Sequence, residues 1–347
     1  MILFLSFVDN SYSRSSSLYR ALEKSGEEVS FLLVPSNLFM MVAKLMKFRV
    51  QIRGADLTIV MSPCHKIVPL VRIFSKKVVL DAGWPLSDSN FTRGRRRISF
   101  VRPLINLLID FISMHSANLV VLESELQKWR VSKKFFLSNN KLTFRFSGIC
   151  EENFLNDDQV LPSEISELNL SGKKVVFFRG KNNIESGVEI LAATSWVLSD
   201  KILLIVVSDK PVKSGFNPRN TIVIARYLQY SELAAIYRIS EIAIGQISEH
   251  ERLNWTIPHK AFEAAFFSTP YLSRKNPGVL EFLDTKSAIY LDEVTKSSLA
   301  IKIDELMSNP ESLSEYSKNA RNSYTEKAGY AALVEQYKMG VENFSTD

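Results

Sequence analysis

Short runs of almost unbroken apolar residues alternate along the chain with stretches in which apolar positions recur every three to four residues. The first run, Ile2-Leu3-Phe4-Leu5-Ser6-Phe7-Val8, has no basic stretch before it and no small-residue cleavage site after it. It reads as a buried strand rather than a leader. Further strands are predicted over 29–34, 56–61, 77–80 and 118–122, and helices over 15–24, 36–53 and 98–115. In the first helix Leu18, Ala21 and Leu22 share one face and Gly26 follows the end. Strands that are apolar throughout belong to parallel sheets covered on both faces. Residues 150–172 break the pattern with Glu151, Glu152, Asp157, Asp158 and Pro162, so a linker is predicted, centred on 156–172. The alternation then restarts, with strands over 174–178, 202–207, 221–224, 242–244, 270–272 and 288–291. Helices are predicted over 184–198, 230–238, 258–267 and 278–283, followed by a helical tail over 295–343.

Two halves of alternating strands and helices predict an α/β protein of two doubly wound, Rossmann-like domains, 1–155 and 173–325. A terminal helix, 326–347, can pack back on the first domain. Such sheets bind ligands at the carboxyl ends of their strands, and two that face each other make a cleft.

A length of 347 residues suits two domains, and 46% apolar with 23% charged residues excludes a disordered chain. Cys64 and Cys150 have no metal-ligand spacing and form no disulfide framework; they fit a reducing compartment and read as small buried apolar residues. No run of 18 or more apolar residues occurs, so no spanning helix is predicted.

The net charge of +6 is uneven. Residues 1–150 hold 22 Lys+Arg against 10 Asp+Glu, a net +12, and residues 151–347 hold a net −6. The basic half therefore faces an anionic partner: phospholipid, nucleic acid or a phosphorylated substrate. Arg93-Gly94-Arg95-Arg96-Arg97 leads into an apolar stretch interrupted by Arg102, Pro103 and Asp110. This fits an interfacial segment, with Arg93, Arg95, Arg96 and Arg97 on anionic headgroups and Phe100, Leu104 and Leu108 toward the acyl boundary. The helix over 38–50, with Lys44, Lys47 and Arg49, adds to the same surface. A solvated basic loop followed by a core helix is the other reading. Nucleic acid is excluded as the partner, since the run lacks aromatic interleaving and no nucleic-acid motif is present. The expected location is cytoplasmic, peripheral on the inner face of the membrane.

The most informative segment is Ile257-Pro258-His259-Lys260-Ala261-Phe262-Glu263-Ala264. Proline suits the first turn of a helix, where the free N–H groups form an anion site. Lys260 adds positive charge there. Glu263, one turn on, is an acceptor suited to the vicinal hydroxyls of a ribose. A plain surface helix with a Lys260–Glu263 pair fits the same spacing.

This segment resembles the donor-binding signature of family 4 glycosyltransferases of the GT-B fold, P-x-K-x-x-E followed by x-P. Phe177-Phe178-Arg179-Gly180 is similar to the strand end that opens the second domain in that family. Glu185-Ser186-Gly187-Val188-Glu189 with Leu191 resembles its K-G-x-x-x-L helix start, and Tyr227, Leu233 and Tyr237 its y-x-x-x-x-L-x-x-x-y run. Upstream, Ala117-Asn118-Leu119-Val120-Val121-Leu122-Glu123-Ser124 looks like A-D-x-v-i-x-x-S, and Gly148-Ile149 with Glu152 and Phe154 resembles G-v-d-x-x-x-F. The resemblance spans nearly the whole chain and is specific in the second half.

The resemblance implies hexosyl transfer from a nucleoside-diphosphate sugar to a lipid-linked or glycan acceptor, with retention and without a metal or other cofactor. The absence of any Asp-x-Asp motif agrees with this. It implies that Glu263 holds the donor ribose and that Arg179, with Lys181 beside it, neutralises the diphosphate. Fixed cations there stabilise the growing charge of the leaving group. The family carries a glutamate eight positions before Glu263; here that position is Trp255, and Glu249 or Glu251 can stand in. A subunit that binds donor without transfer, or a sugar-nucleotide epimerase, also fits. In the first half, Ser13 and Arg14 replace the expected glycine-rich turn and can contact a phosphate or an acceptor. Asp81, predicted at a strand's carboxyl end, can orient the sugar or accept the acceptor's proton; His65 is a second candidate. No Gly-x-Gly-x-x-Gly follows any predicted strand, which disfavours a nicotinamide enzyme.

Overall fold

In the computed structural model the described residues are 1–9, 13–88, 101–155, 160–168, 170–212 and 215–345. The chain forms two compact units. One comprises Met1–Ile149 with Lys327–Asp347, the other Cys150–Glu326.

The first unit holds strands β1 (Ile2–Ser6), β2 (Val29–Leu33), β3 (Leu57–Met61), β4 (Val78–Gly83), β5 (Leu119–Leu122) and β6 (Leu142–Phe144). They form one parallel sheet in the order β2-β1-β3-β4-β5-β6. Successive residues of a strand point to opposite faces. Leu3, Leu5, Val60 and Leu80 therefore meet Met41, Ile52, Val71 and Met114 from helices on one side. Phe4, Ile59, Val79 and Val121 meet Leu18, Leu22 and Tyr337 on the other. Tyr337 belongs to the terminal helix Tyr330–Ser345, which lies against the helix Ser13–Lys24.

The second unit holds β7 (Lys174–Gly180), β8 (Ile202–Ser208), β9 (Thr221–Ile224), β10 (Ile242–Ile244), β11 (Tyr271–Arg274) and β12 (Ile289–Leu291). They too are all parallel, in the order β12-β11-β10-β7-β8-β9. Both units are thus doubly wound α/β domains.

The differences from the predicted elements have local causes. The helix predicted over 36–53 is two, Leu38–Lys47 and Arg49–Gly54, because Phe48 leaves helical geometry at φ −97°, ψ 12°. The helix predicted from 184 begins only at Val188, after Gly187 at φ 72°. Before it, Asn183 Oδ1 accepts from the N–H groups of Glu185 and Ser186, at 3.1 Å each. That side-chain turn competes with the helix for the same donors. Helices Val68–Phe74 and Glu125–Phe135 and strand β6 were not predicted. Described parts of the segment read as a linker pack on the second unit: Phe154 lies against Tyr230 at 4.9 Å and Phe267 at 5.4 Å between ring centroids, and Ile165 is buried.

Among the described residues no helix is long and apolar enough to cross a membrane. Arg93, Arg95, Arg96 and Arg97 lie outside the described residues.

Candidate functional site

The second sheet winds outward in both directions from β7 and β10, which are neighbours. A crevice opens at the carboxyl ends of strands where the winding reverses. A cavity of about 240 Å³ lies there. Arg179, Gly180 and Lys181 reach it from the end of β7, and Ser208 and Asp209 from β8. Arg226 and Tyr227 follow β9, Gln246 follows β10, and Pro258, His259 and Lys260 open the next helix.

That helix runs His259–Phe266. Pro258, predicted inside its first turn, is the residue before it, at φ −61°, ψ 133°. The Ala261 N–H bonds back to the Pro258 carbonyl at 2.8 Å. One turn on, Glu263 is 1% exposed and lies behind the cavity lining. Its Oε1 accepts from Arg179 Nη1 and, at 3.0 Å, from His259 Nδ1; its Oε2 accepts from the Tyr237 hydroxyl at 2.9 Å. Burial alone raises the Glu263 carboxyl pKa, but the Arg179 charge and the His259 hydrogen bond more than reverse it and hold the group well below the usual carboxylate range. Protein donors thus occupy three of the roughly four acceptor sites on the carboxylate that the sequence reading assigned to ribose hydroxyls. The exposed end of the arrangement is the Arg179 side chain, 38% exposed. Its charge is held firmly, since the Glu263 carboxylate outweighs the desolvation of the guanidinium.

His259 carries an imidazole with one nitrogen satisfied and one not. A carboxylate only accepts, so Nδ1 carries the proton. Its Nε2 is buried with no hydrogen-bond partner among the described residues, in a residue that lines the cavity.

Lys260 turns inward. Its Nζ donates to the Gly245 carbonyl at 2.9 Å and sits 4.2 Å from the centroid of the Phe178 ring. Burial, together with the Arg179 charge, pushes the Lys260 ammonium down to about 7. Gly180 makes room for this: a Cβ there would lie 3.0 Å from the Phe178 ring and 3.6 Å from Lys260 Nζ. Lys181 is exposed, and its ammonium makes no hydrogen bond or ion pair among the described residues. Arg226 is held by Glu164 at 3.0 Å and Glu232 at 2.7 Å. Sequence reasoning did not single out Arg226, Gln246 or Ser208 as site residues, although each follows or ends a strand.

Asp81, Arg14 and His65, three of the candidates of the first unit, are buried. Asp81 is 1% exposed and bridges two arginines: Arg14 Nε donates to Oδ1 at 2.7 Å and Arg145 Nε to Oδ2 at 2.8 Å. Arg14 also donates to the Ser147 hydroxyl at 3.0 Å and the Leu122 carbonyl at 3.0 Å. Burial raises the Asp81 carboxyl, and the two guanidinium charges reverse this and hold it low. A carboxylate so held is a poor proton acceptor. Arg14, 2% exposed, has no open side for a phosphate. Ser13 opens the helix Ser13–Lys24, but its side chain lies outside those described. His65 is fully buried 3.9 Å from Asp110, and burial pushes its imidazole down to about 4. In the second unit, Glu249 and Glu251 are exposed and outside the cavity lining, and Trp255 ends the short turn Glu251–Asn254.

Comparison with known proteins agrees with this geometry. Residues 202–338 match the family described as glycosyl transferase-like. Among solved structures, Alr3699/HepE of Anabaena, in complex with UDP and glucose, is similar at 12% identity and a TM-score of 0.72, over 98% of this chain and 99% of that one. The chain has the GT-B fold. Sucrose-phosphate synthase of Thermosynechococcus elongatus is similar to this GT-B protein at 13% identity and a TM-score of 0.68, over 100% and 99% of the two chains. A glycosyltransferase of Rickettsia africae is similar at 13% identity and a TM-score of 0.65, over 100% and 99%. No curated protein sequence matches with significance.

Proposed function

We propose that this GT-B protein is a glycosyltransferase that moves a hexosyl group from a nucleoside-diphosphate sugar to a lipid-linked or glycan acceptor, with retention and without a metal. The observation that carries the donor half is the cavity at the β7/β10 crevice, where Arg179, Lys181 and Lys260 place positive charge and His259 Nε2 stands unpartnered. The diphosphate lies against Arg179, Lys181 and the start of the helix at His259. Charge grows on the diphosphate as the glycosidic bond breaks, so these cations act most strongly in the transition state. Glu263 holds Arg179 and His259 in place and is a positioning residue. Tyr227, 76% exposed at the rim, offers an aromatic face to the base. The complexes of HepE with UDP and with UDP-glucose support a nucleotide-sugar donor.

A donor screen tests this. Purified protein is incubated with a panel of nucleotide sugars and candidate acceptors, and nucleoside diphosphate and products are followed by mass spectrometry. Acceptor-dependent release of nucleoside diphosphate is expected. Trp255, in the place of the family's first glutamate, favours a second reading, a subunit that binds donor without transfer. That reading gives binding without release. An epimerase would convert donor with no acceptor present.

A further inference from the structure

We propose that the helical layer on one face of the first sheet docks on an anionic lipid surface. Four helices build this layer: Leu38–Lys47, Arg49–Gly54, Val68–Phe74 and Val101–Ser116. They pack on the sheet through Met41, Ile52, Val71 and Met114. Each touches the next in this order, so the layer is continuous. Helices that face water carry polar residues outward. These carry large apolar residues outward beside their cations. In Leu38–Lys47, Leu38 is 66%, Phe39 82% and Met40 59% exposed; in Val101–Ser116, Leu104 is 67% and Leu108 56% exposed. Val50 and Ile73, at 74% and 70%, continue the field between them. Single exposed apolar residues need no explanation, but a field of them across four adjoining helices marks a contact surface.

The charges choose the occupant. The same four helices carry Lys44, Lys47, Arg49, Arg53, Arg72 and Arg102, and one acid, Asp110. Asp110 is fully buried and accepts from the N–H groups of Leu86 and Ser87 at 2.9 and 2.8 Å. Among the described residues none of the six cations forms an ion pair. A second copy of this face would set positive charge against positive charge. A bilayer interface matches both features, with phosphate headgroups for the cations and the acyl boundary for Phe39, Leu104 and Leu108. The contact is interfacial, since no helix among the described residues can span. It shares no residue with the donor cavity and stands apart from that reading.

Vesicle flotation with the full chain tests it. Vesicles of phosphatidylcholine alone are compared with vesicles of phosphatidylcholine and phosphatidylglycerol. Binding to the anionic vesicles is expected to be about tenfold tighter or more, and to weaken as salt rises. Leu104→Glu with Leu108→Glu, and separately Lys44→Glu with Lys47→Glu, should each lower it by about tenfold or more. All four positions are at the surface or only half-buried, and circular dichroism and melting check that the fold is kept. The proposal is overturned if the wild-type chain ignores anionic vesicles, or if folded variants bind them as the wild type does. It is equally overturned if the wild type is a dimer that Leu104→Glu with Leu108→Glu splits into monomers.

Discussion

The Glu263 carboxylate and the Arg179 guanidinium form an ion pair enclosed at one end and open at the other: Glu263 is 1% exposed and Arg179 38%. The buried member fixes the position and charge of the exposed one. Replacing Glu263 by Gln keeps the shape, removes the charge and leaves Arg179 free to turn away. A charge-assisted hydrogen bond contributes about 1.5–3 kcal/mol. Affinity for a nucleoside diphosphate should therefore fall by about 10- to 100-fold, read by calorimetry. Unchanged affinity would remove Glu263 from the positioning role.

Lys260 should make nucleoside-diphosphate binding depend on pH. Its pKa is depressed to about 7, so it loses its proton as pH rises through that value. A bound diphosphate favours the charged form. Affinity should weaken between about pH 6 and 8, and binding near neutrality should take up protons from the buffer. Lys260→Met should flatten that profile. The sign for stability is opposite. Between about 7 and the ordinary lysine value the unfolded chain binds more protons than the folded one, so this residue makes stability rise with pH across that window.

Asp81 has a structural part. Asp81→Asn leaves Arg14 and Arg145 facing each other without their counter-charge. Breaking such a buried pair costs about 3–5 kcal/mol. Urea unfolding should show that loss, while nucleoside-diphosphate affinity of the folded fraction stays unchanged. Because the Asp81 pKa is lowered, its contribution is present above the ordinary carboxylate range and is lost as pH falls through the folded-state value. The wild type should lose stability to acid more steeply than the variant.

Gly245 tests the packing behind the cavity. A Cβ there would lie 2.3 Å from the Tyr271 hydroxyl and 2.6 Å from Ser273 Cβ. Gly245→Ala must shift the backbone whose carbonyl receives Lys260. A cost of about 1–3 kcal/mol is expected from overpacking, together with weaker nucleotide binding. Melting and calorimetry on the same sample check both.

Much of the fold was legible because parallel strands buried on both faces leave unbroken apolar runs, as at 57–61 and 202–208. The helix that starts after Pro258 was legible too, since proline before an apolar, periodic run marks a helix start. What escaped depended on distant side chains. Nothing near Glu263 in sequence announces Tyr237, and nothing near Asp81 announces Arg145, 64 residues away. Asp81 sits at a strand's carboxyl end, as predicted, but partners from two other segments close over it. The helix Glu125–Phe135 was missed although Ser124 caps it by accepting from the Gln127 N–H at 3.1 Å. Phe154 was read as part of a linker because its partners, Tyr230 and Phe267, lie far along the chain.

Titration of nucleoside diphosphates into the wild-type chain and Arg179→Ala, by calorimetry, bears most directly on the central claim that the β7/β10 crevice binds the nucleotide end of a sugar donor. At least one nucleoside diphosphate should bind the wild type, and Arg179→Ala should bind it at least about tenfold more weakly. Failure of every nucleoside diphosphate to bind the wild type, or equal binding by Arg179→Ala, would contradict it.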